Sequence, residues 1–266
     1  MSRRRLDSEL VRRGLATSRT EAQAAIRAGK VIVAGLPAAK VSMLVDPSAP
    51  VELVGEARRF VSRGGEKLEA ALVRFGIDAA DRRCLDAGAS TGGFTDCLLQ
   101  RGAKQVVALD VGYGQLAWSI RTDDRVTVLE RTNVRDLTVA HVPYSPDLVV
   151  ADLSFISLTL AVPPLAAVAA AGADLVLLVK PQFEAGPSSV GAGGVVRDAD
   201  GWRRAVERVA HSCEAAGLAP VAVMASPLPG PAGNVEFPMH VRNARGPASL
   251  DLDGALLEAD RVAGAA

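Results

Sequence analysis

The stretch that decides the fold is Arg83-Cys84-Leu85-Asp86-Ala87-Gly88-Ala89-Ser90-Thr91-Gly92-Gly93-Phe94-Thr95. It indicates a short apolar strand that ends at an acidic residue, then a glycine-rich turn, then the start of a helix. Glycine suits such a turn because it tolerates positive φ and lets a bound molecule approach the backbone. The layout brings backbone N–H groups and a helix N-terminus to the end of the strand, where a polar ligand can bind.

The spacing from Asp86 to Gly92 is D-x-G-x-x-x-G, not the G-x-G-x-x-G of dinucleotide enzymes. This spacing favours a nucleoside ligand without a pyrophosphate, for which S-adenosylmethionine (SAM) is the obvious candidate. A plain connection between a strand and a helix is the alternative interpretation of the motif alone. The residues of this turn that we expect to contact the cofactor are Asp86, Gly88, Ala89, Ser90, Thr91, Gly92, Gly93 and Phe94.

Strands and helices alternate around this turn. Continuous apolar strands between helices predict an α/β fold with a parallel sheet covered on both faces. The predicted strands are 84–87, 105–110, 126–129, 147–151, 175–179 and 221–225, with a last strand at 236–241. The predicted helices lie near 66–75, 94–100, 115–121, 158–171 and 202–216, and a short helix fading into disorder is expected over 250–266.

The composition bounds the class of protein. The chain has 266 residues, enough for one large or two modest domains, and 49% of them are hydrophobic. Three distant cysteines without a C-x-x-C, and three histidines without metal-ligand spacing, indicate a reducing setting with no disulfide and no metal. No apolar segment follows the basic start, and the longest apolar run is broken by Pro163-Pro164. We therefore expect a cytoplasmic protein that does not enter a membrane.

The charge is zero overall but unevenly distributed. Residues 1–40 contain nine Lys/Arg and three Asp/Glu, a net charge of +6. A basic segment on an acidic body predicts contact with a polyanion, and a solvated basic face is the alternative. The same segment predicts a helix over 6–13, a second helix that opens at the capping box Ser18-Arg19-Thr20-Glu21 and ends at Gly29, and strands at 31–33 and 51–54.

This N-terminal segment resembles an S4 RNA-binding domain. The resemblance is carried by Arg5-Leu6-Asp7-Ser8-Glu9-Leu10-Val11-Arg12-Arg13-Gly14-Leu15-Ala16, by Ser18-Arg19 and by Ala28-Gly29-Lys30-Val31-Ile32-Val33-Ala34-Gly35. S4 domains grip structured RNA with such a helix pair. We place the S4-like domain at 1–55, a linker at 56–64 and a larger domain at 65–266. The residues expected to bind RNA are Arg4, Arg5, Arg12, Arg13, Arg19, Arg27, Lys30 and Arg63.

Ligands of open parallel sheets bind beyond the carboxyl ends of the strands, and polar residues follow several predicted strands. Asp110, next to Val111, suits a ribose hydroxyl pair, although it could also cap a helix. Asn133 could meet an adenine edge or belong to a polar turn. Phe155 could stack on a base or on adenine, or be part of the core.

Lys180 closes an apolar strand, where burial disfavours its charged form, so we expect a carboxylate neighbour. Asp152, at the end of the adjacent strand in the expected order, is that neighbour. We also expect Asp152 and Val111 to contact the cofactor. Glu236 and Lys67 could join the same cluster, or all four could be unrelated polar residues at the ends of elements.

Four motifs together resemble the FtsJ-type methyltransferase domain of the TlyA family. They are Gly88-Ala89-Ser90-Thr91-Gly92-Gly93-Phe94-Thr95, Asp110-Val111-Gly112-Tyr113-Gly114-Gln115-Leu116, Ala151-Asp152-Leu153-Ser154-Phe155-Ile156-Ser157 and Leu178-Val179-Lys180-Pro181-Gln182-Phe183-Glu184. With the S4-like segment the resemblance covers nearly the whole chain. It implies a Rossmann-like SAM-dependent methyltransferase sheet behind a small N-terminal α+β S4-like RNA-binding domain.

The resemblance also implies the activity, which is SAM-dependent 2′-O-methylation of cytidine in 16S and 23S rRNA. The family's catalytic tetrad falls on Lys67, Asp152, Lys180 and Glu236. The expected partners are rRNA or ribosomal subunits, bound by a monomer. One departure is Phe60, where the family linker often carries a tryptophan. Two other classes stay open: a membrane-acting haemolysin, a name the family has carried, and a non-catalytic RNA-binding protein.

Overall fold

The chain divides into two units in the computed structural model, Met1–Ser62 and Arg63–Ala266. The structure describes residues 3–16, 18–38, 40–54, 59–184, 194–246 and 249–265. Residues 56–58 of the expected linker lie outside the described residues.

The first unit contains the predicted helix pair, α1 (Leu6–Arg12) and α2 (Arg19–Arg27). The Oγ of Ser18 accepts a hydrogen bond from the Glu21 N–H at 3.2 Å and so begins α2. The helices pack on a small apolar core that includes Leu6, Leu10 and Ile26.

Short strands complete this unit. The two predicted strands are present and pair with each other, and a third short strand joins them on the other side. A separate antiparallel pair, whose members have only two residues each, was not predicted because such short strands carry no periodic pattern. The strands of this unit are β1 (Arg4–Arg5), β2 (Val31–Val33), β3 (Leu36–Pro37), β4 (Leu44–Val45) and β5 (Val51–Leu53).

The second unit is built on one sheet covered by helices. Its strands are β6 (Arg83–Ala87), β7 (Gln105–Leu109), β8 (Val126–Leu129), β9 (Leu148–Ala151), β10 (Asp174–Val179), β11 (Ala219–Val223) and β12 (Phe237–Arg242). Its helices are α3 (Arg63–Phe75), α4 (Gly93–Gln100), α5 (Trp118–Arg121), α6 (Leu158–Val168), α7 (Pro181–Glu184), α8 (Ala199–Ala215) and α9 (Leu252–Ala265).

The strand order in this sheet is β11-β12-β10-β9-β6-β7-β8. The strands from β6 to β10 are parallel, as predicted, and β9 and β10 are buried along their whole length. The fully parallel prediction is wrong for β12, which lies antiparallel between β10 and β11. The segment between β11 and β12 contains no described helix, so the chain returns without the crossover that parallel pairing needs.

The predicted helices near 66–75, 158–171 and 202–216 correspond to α3, α6 and α8 with bounds shifted by a few residues, and two other predicted helices differ more. The helix expected over 115–121 is confined to α5, because the residues before it form an irregular loop. The tail does not fade, since α9 reaches Ala265 with Ala255, Leu256 and Ala259 buried. Within the described ranges, no helix is long and apolar enough to cross a membrane.

Candidate active site

The glycine turn after β6 has a backbone that favours glycine at two positions. Gly88 and Gly92 have φ angles of +90° and +96°, which are strained for residues with a side chain. A Cβ on Gly88 would lie 2.4 Å from the carbonyl oxygen of Asp152. The turn therefore packs directly against the backbone that follows β9.

Asp110 follows β7 and connects two loops. Its Oδ2 accepts a hydrogen bond from the Ser90 N–H at 2.7 Å, and its Oδ1 accepts one from the Gly112 N–H at 2.6 Å. A carboxylate has about four lone-pair sites, so these contacts leave capacity to accept from ligand hydroxyl groups.

A cavity of about 770 Å³ opens at the carboxyl ends of the parallel strands, a size typical of small-molecule sites (roughly 300–1,000 Å³). Its walls come from the glycine turn and from the segments that follow β7, β8 and β9. A smaller cavity of about 380 Å³ lies between the end of α8 and residues 245–246. It lies at the opposite edge of the sheet, where β11 begins beside the end of β12, and therefore away from the predicted site.

Part of the predicted cofactor set lines the larger cavity. These residues are Gly88, Ser90, Asp110, Val111, Asn133, Asp152 and Phe155. The predicted residues that do not line it are Asp86, Ala89, Thr91, Gly92, Gly93 and Phe94. The lining residues that the prediction missed are Leu109, Gln115, Thr132, Val134, Arg135, Leu153, Ser154, Ile156, Ser157 and Leu160. Most of these follow the end of a strand, and that position is the signal that could have identified them.

Asp86 lies beneath the turn, fully buried, instead of in the cavity wall. Its Oδ2 accepts a hydrogen bond from the Thr95 hydroxyl at 2.7 Å, which joins β6 to α4. Its Oδ1 has no hydrogen-bond partner among the described residues. Burial raises the pKa of this carboxyl to about 7.

Lys180 and Asp152 form the expected ion pair on adjacent strands. Lys180 Nζ lies 2.5 Å from Asp152 Oδ1, a close contact without good hydrogen-bond alignment. The same nitrogen donates a hydrogen bond to the Oγ of Ser154 at 2.9 Å. Ser154 was not predicted, because a lone serine in a loop has no distinguishing pattern.

Lys67 and Glu236 form a second, more deeply buried pair. Lys67 Nζ donates to Glu236 Oε2 at 2.6 Å, and the two residues are 6% and 1% exposed. Val179 lies opposite Phe237 in the antiparallel register, so Glu236 lies next to Lys180 across the two strands. The fold thus brings all four predicted residues to one edge of the sheet as two ion pairs.

The two aromatic residues noted in the sequence differ in their exposure. Phe155 is 92% exposed, which excludes a core role, and its ring centroid lies 5.3 Å from that of Phe183. Phe60 is buried, with the Arg59 guanidinium 4.9 Å from its ring centroid, and does not line the cavity. Arg63 is exposed at the start of α3 and donates to the Pro229 carbonyl at 2.5 Å.

In the first unit, the fully buried carboxylate of Asp7 binds two arginines. It accepts hydrogen bonds from Arg5 at 2.9 and 3.1 Å, from Arg19 at 3.1 Å and from Gln23 at 3.0 Å. The hydrogen bonds from Arg5 hold the pKa of Asp7 well below its usual range. The ionised carboxylate therefore holds two guanidinium groups side by side.

Glu9, also fully buried, binds a second pair of arginines. It accepts from Arg12 at 2.6 and 2.8 Å and from Arg13 at 2.8 Å, and the hydrogen bonds from Arg12 lower the pKa of Glu9 to about 2. Arg13 also donates to the carbonyl oxygens of Ala49 and Pro47 at 2.8 and 2.9 Å.

The predicted RNA-binding residues of this unit therefore differ in how much of each side chain is exposed to solvent. The Arg13 side chain is 20% exposed and has acceptors on several sides. The side chains of Arg5, Arg12 and Arg19 are 46%, 49% and 58% exposed. The other three predicted residues, Arg4, Arg27 and Lys30, are exposed.

Comparison with known families and proteins matches both units. The S4 domain model matches residues 4–51, and the FtsJ-like methyltransferase model matches residues 60–243. The chain is 56% identical over 244 residues to the "16S/23S rRNA (cytidine-2'-O)-methyltransferase TlyA" of Mycobacterium tuberculosis, covering 91% of each chain.

Two other similar proteins carry a different name. "Hemolysin A" of Brachyspira hyodysenteriae is 39% identical over 237 residues, which cover 89% of this chain and 98% of that protein. The solved structure of a putative hemolysin from Streptococcus thermophilus is 37% identical, with a TM-score of 0.78, and the match covers 98% of this chain and 96% of that one.

The pKa of Asp86 predicts a specific pH dependence of stability. An exposed aspartate titrates near 3.9, so between about pH 4 and pH 7 the folded chain keeps a proton that the unfolded chain has released. This group's contribution to the free energy of unfolding therefore decreases as the pH rises through that window. Asp86→Asn should flatten the dependence and leave the protein at least as stable as the wild type at pH 7.

Urea unfolding between pH 4.5 and pH 7.5 measures this effect. Asp124→Asn, at an exposed aspartate, is the matched control and should keep the slope of the wild type. If Asp86→Asn leaves the pH slope unchanged, Asp86 is ionised in the folded protein and its assignment is wrong.

Proposed function

The chain belongs to the TlyA family of FtsJ-like methyltransferases with an S4 domain, and from that premise we propose that it methylates rRNA. The proposed reaction transfers the methyl group of SAM to the ribose 2′-hydroxyl of cytidine in 16S and 23S rRNA. The observation that carries the proposal is the Lys180–Asp152 ion pair at 2.5 Å, because Asp152 also lines the cavity beside the glycine turn. An rRNA substrate also motivates our expectation that the protein acts in the cytoplasm.

The cavity fits SAM in its size and in the chemistry of its walls. Its volume is about 770 Å³, and the missing Cβ of Gly88 lets the turn form one wall against the loop after β9. Asp110 would accept from the ribose hydroxyls, and Asn133 would face an adenine edge, since amide groups both donate and accept. When bound, SAM supplies an electrophilic methyl group.

The two ion pairs supply the side chains that align and activate the ribose hydroxyl that accepts the methyl group. A ribose hydroxyl is a poor nucleophile at neutral pH, so it needs alignment and help in losing its proton. Lys180 acts on this hydroxyl, either as a base or as a donor that orients the oxygen, and Asp152 positions Lys180. Lys67 and Glu236 orient the ribose and balance charge at the same edge.

Alignment is the larger contribution in this account. Holding the reactants in the right geometry lowers the activation free energy by up to about 7–11 kcal/mol. General acid–base help typically contributes about 10²–10⁴-fold. The ion pairs suit alignment because each one holds two charged side chains in contact at the edge of the sheet.

The arginines on α1 and α2 contact RNA phosphates in this proposal. Such contacts give affinity and orientation but little choice of sequence. Arg5 and Arg19 are the strongest candidates, because Asp7 fixes them side by side while about half of each side chain stays exposed.

Labelled SAM incubated with separated ribosomal subunits, followed by mapping of the modified ribose, tests the proposal. The wild type should methylate a cytidine 2′-hydroxyl. Lys180→Ala should abolish transfer and leave the Kd for SAM nearly unchanged, and Lys104→Ala, at an exposed lysine, should behave as the wild type. Transfer by Lys180→Ala near the wild-type rate would contradict the assigned role.

The same assay separates the alternatives. RNA binding without any methyl transfer by the wild type would favour the non-catalytic interpretation. Release of a dye from phospholipid vesicles by the purified protein would favour the membrane-acting one.

The arginine pairs predict different effects on RNA binding. Arg5→Ala and Arg19→Ala should each weaken rRNA binding and reduce the slope of log K against log [salt] by about 0.7–0.9, the value for one lost phosphate contact. Arg13→Ala is the matched control: it should lower the thermal stability of the first unit and leave the salt slope nearly unchanged, because its guanidinium is bound to Glu9 and to two carbonyls. Equal slopes for all three variants would contradict this division.

A further inference from the structure

Ser154 connects the buried Lys180 to the cavity. Lys180 is 8% exposed and, among the described residues, does not belong to the cavity lining. Ser154 is exposed, lines the cavity and accepts a hydrogen bond from Lys180 Nζ at 2.9 Å. The hydroxyl of Ser154 can therefore contact both Lys180 and a ligand in the cavity.

The donors and acceptors at this point can be counted. The Lys180 ammonium has three N–H donors, of which one contacts Asp152 and one is donated to Ser154. The third has no acceptor among the residues that the structure describes, so it can donate to an oxygen of the substrate. The Ser154 oxygen has two lone pairs and one proton, and Lys180 occupies one lone pair. The second lone pair can accept a hydrogen bond from a hydroxyl in the cavity.

We propose that Ser154 is a substrate-positioning residue that accepts a hydrogen bond from the ribose 2′-OH while Lys180 holds Ser154 in place. This inference rests on the proposed function and adds a residue to it. The 2′-oxygen then accepts a hydrogen bond from Lys180, and the 2′-OH donates a hydrogen bond to the Oγ of Ser154. Fixing both sides of the hydroxyl group sets the direction of its remaining lone pair, which is the alignment that the reaction needs.

The neighbouring residue, Phe155, restrains the loop that carries Ser154. Phe155 has a left-handed φ of 63°, which residues with a side chain adopt infrequently. Its ring packs against that of Phe183, which belongs to α7, and α7 begins directly after Lys180. The loop that presents Ser154 is thus connected to the strand end that presents Lys180 by a ring contact as well as by the hydrogen bond.

Binding to two RNAs tests the proposal without relying on turnover. The probes are an rRNA fragment that contains the mapped cytidine and the same fragment with 2′-deoxycytidine at that position. The wild type should bind the first more tightly by about 4- to 100-fold, the value of the two hydrogen bonds that the 2′-OH makes. Ser154→Ala should lower this ratio by about 2- to 10-fold, the value of one hydrogen bond, and should lower kcat, with the Kd for SAM unchanged. Ser154→Thr, which keeps the hydroxyl, should restore both the ratio and kcat.

The controls separate this proposal from a structural role and from the proposed function. Ser212→Ala, in α8, should keep the wild-type ratio and kcat. If Ser154→Ala keeps the wild-type ratio, or changes only the thermal stability, Ser154 does not contact the 2′-OH and the proposal fails. If the wild type methylates the cytidine without distinguishing the two probes, the proposal fails while the proposed function stands. If the wild type methylates no rRNA, the proposed function itself fails.

Discussion

Lys180 ends a strand whose every residue is buried, and its ammonium nitrogen lies 2.5 Å from the Asp152 carboxylate on the neighbouring strand. A charge in such a place is costly unless it is paired. The parallel pairing of β9 and β10 brings the two residues together and satisfies this constraint, and the antiparallel β12 places Glu236 next to Lys180. Lys67, from the helix before the sheet, compensates the charge of Glu236. The edge of the sheet thus holds two lysines and two acidic residues as two ion pairs.

The same constraint shapes the cavity. The carbonyl oxygen of Asp152 lies so close to Gly88 that a side chain at that position would clash with it. One residue therefore neutralises the lysine and supports the wall of the cavity. Asp110 ties the glycine turn to the next loop from the other side. The backbone of Asp152 thus supports the wall of the cavity, while its side chain pairs with Lys180.

Local patterns in the sequence were enough to predict the glycine turn, the parallel strands and the Lys180–Asp152 pair, because adjacent parallel strands end at the same edge. The Lys67–Glu236 pair spans 169 positions, so the residues alone left its place in the site open, and the family resemblance assigned it there. The antiparallel insertion of β12 and the hydrogen bond to Ser154 depend on tertiary contacts that no local pattern records. Asp86 lies inside β6, before the strand ends, and its side chain is buried beneath the turn. It therefore does not line the cavity. No pattern in the sequence predicted the burial of Asp7 and Glu9, which bind the arginines of the first unit in pairs.

A double-mutant cycle on the free energy of unfolding tests the central claim most directly. The variants are Asp152→Asn, Lys180→Met and the two combined, measured by urea denaturation of the full chain. If the ion pair holds the site together, each single variant leaves a buried charge without its partner, and the double variant is more stable than the sum of the two losses predicts. We expect a coupling of about 1–3 kcal/mol. Losses that add within about 0.5 kcal/mol would contradict the account.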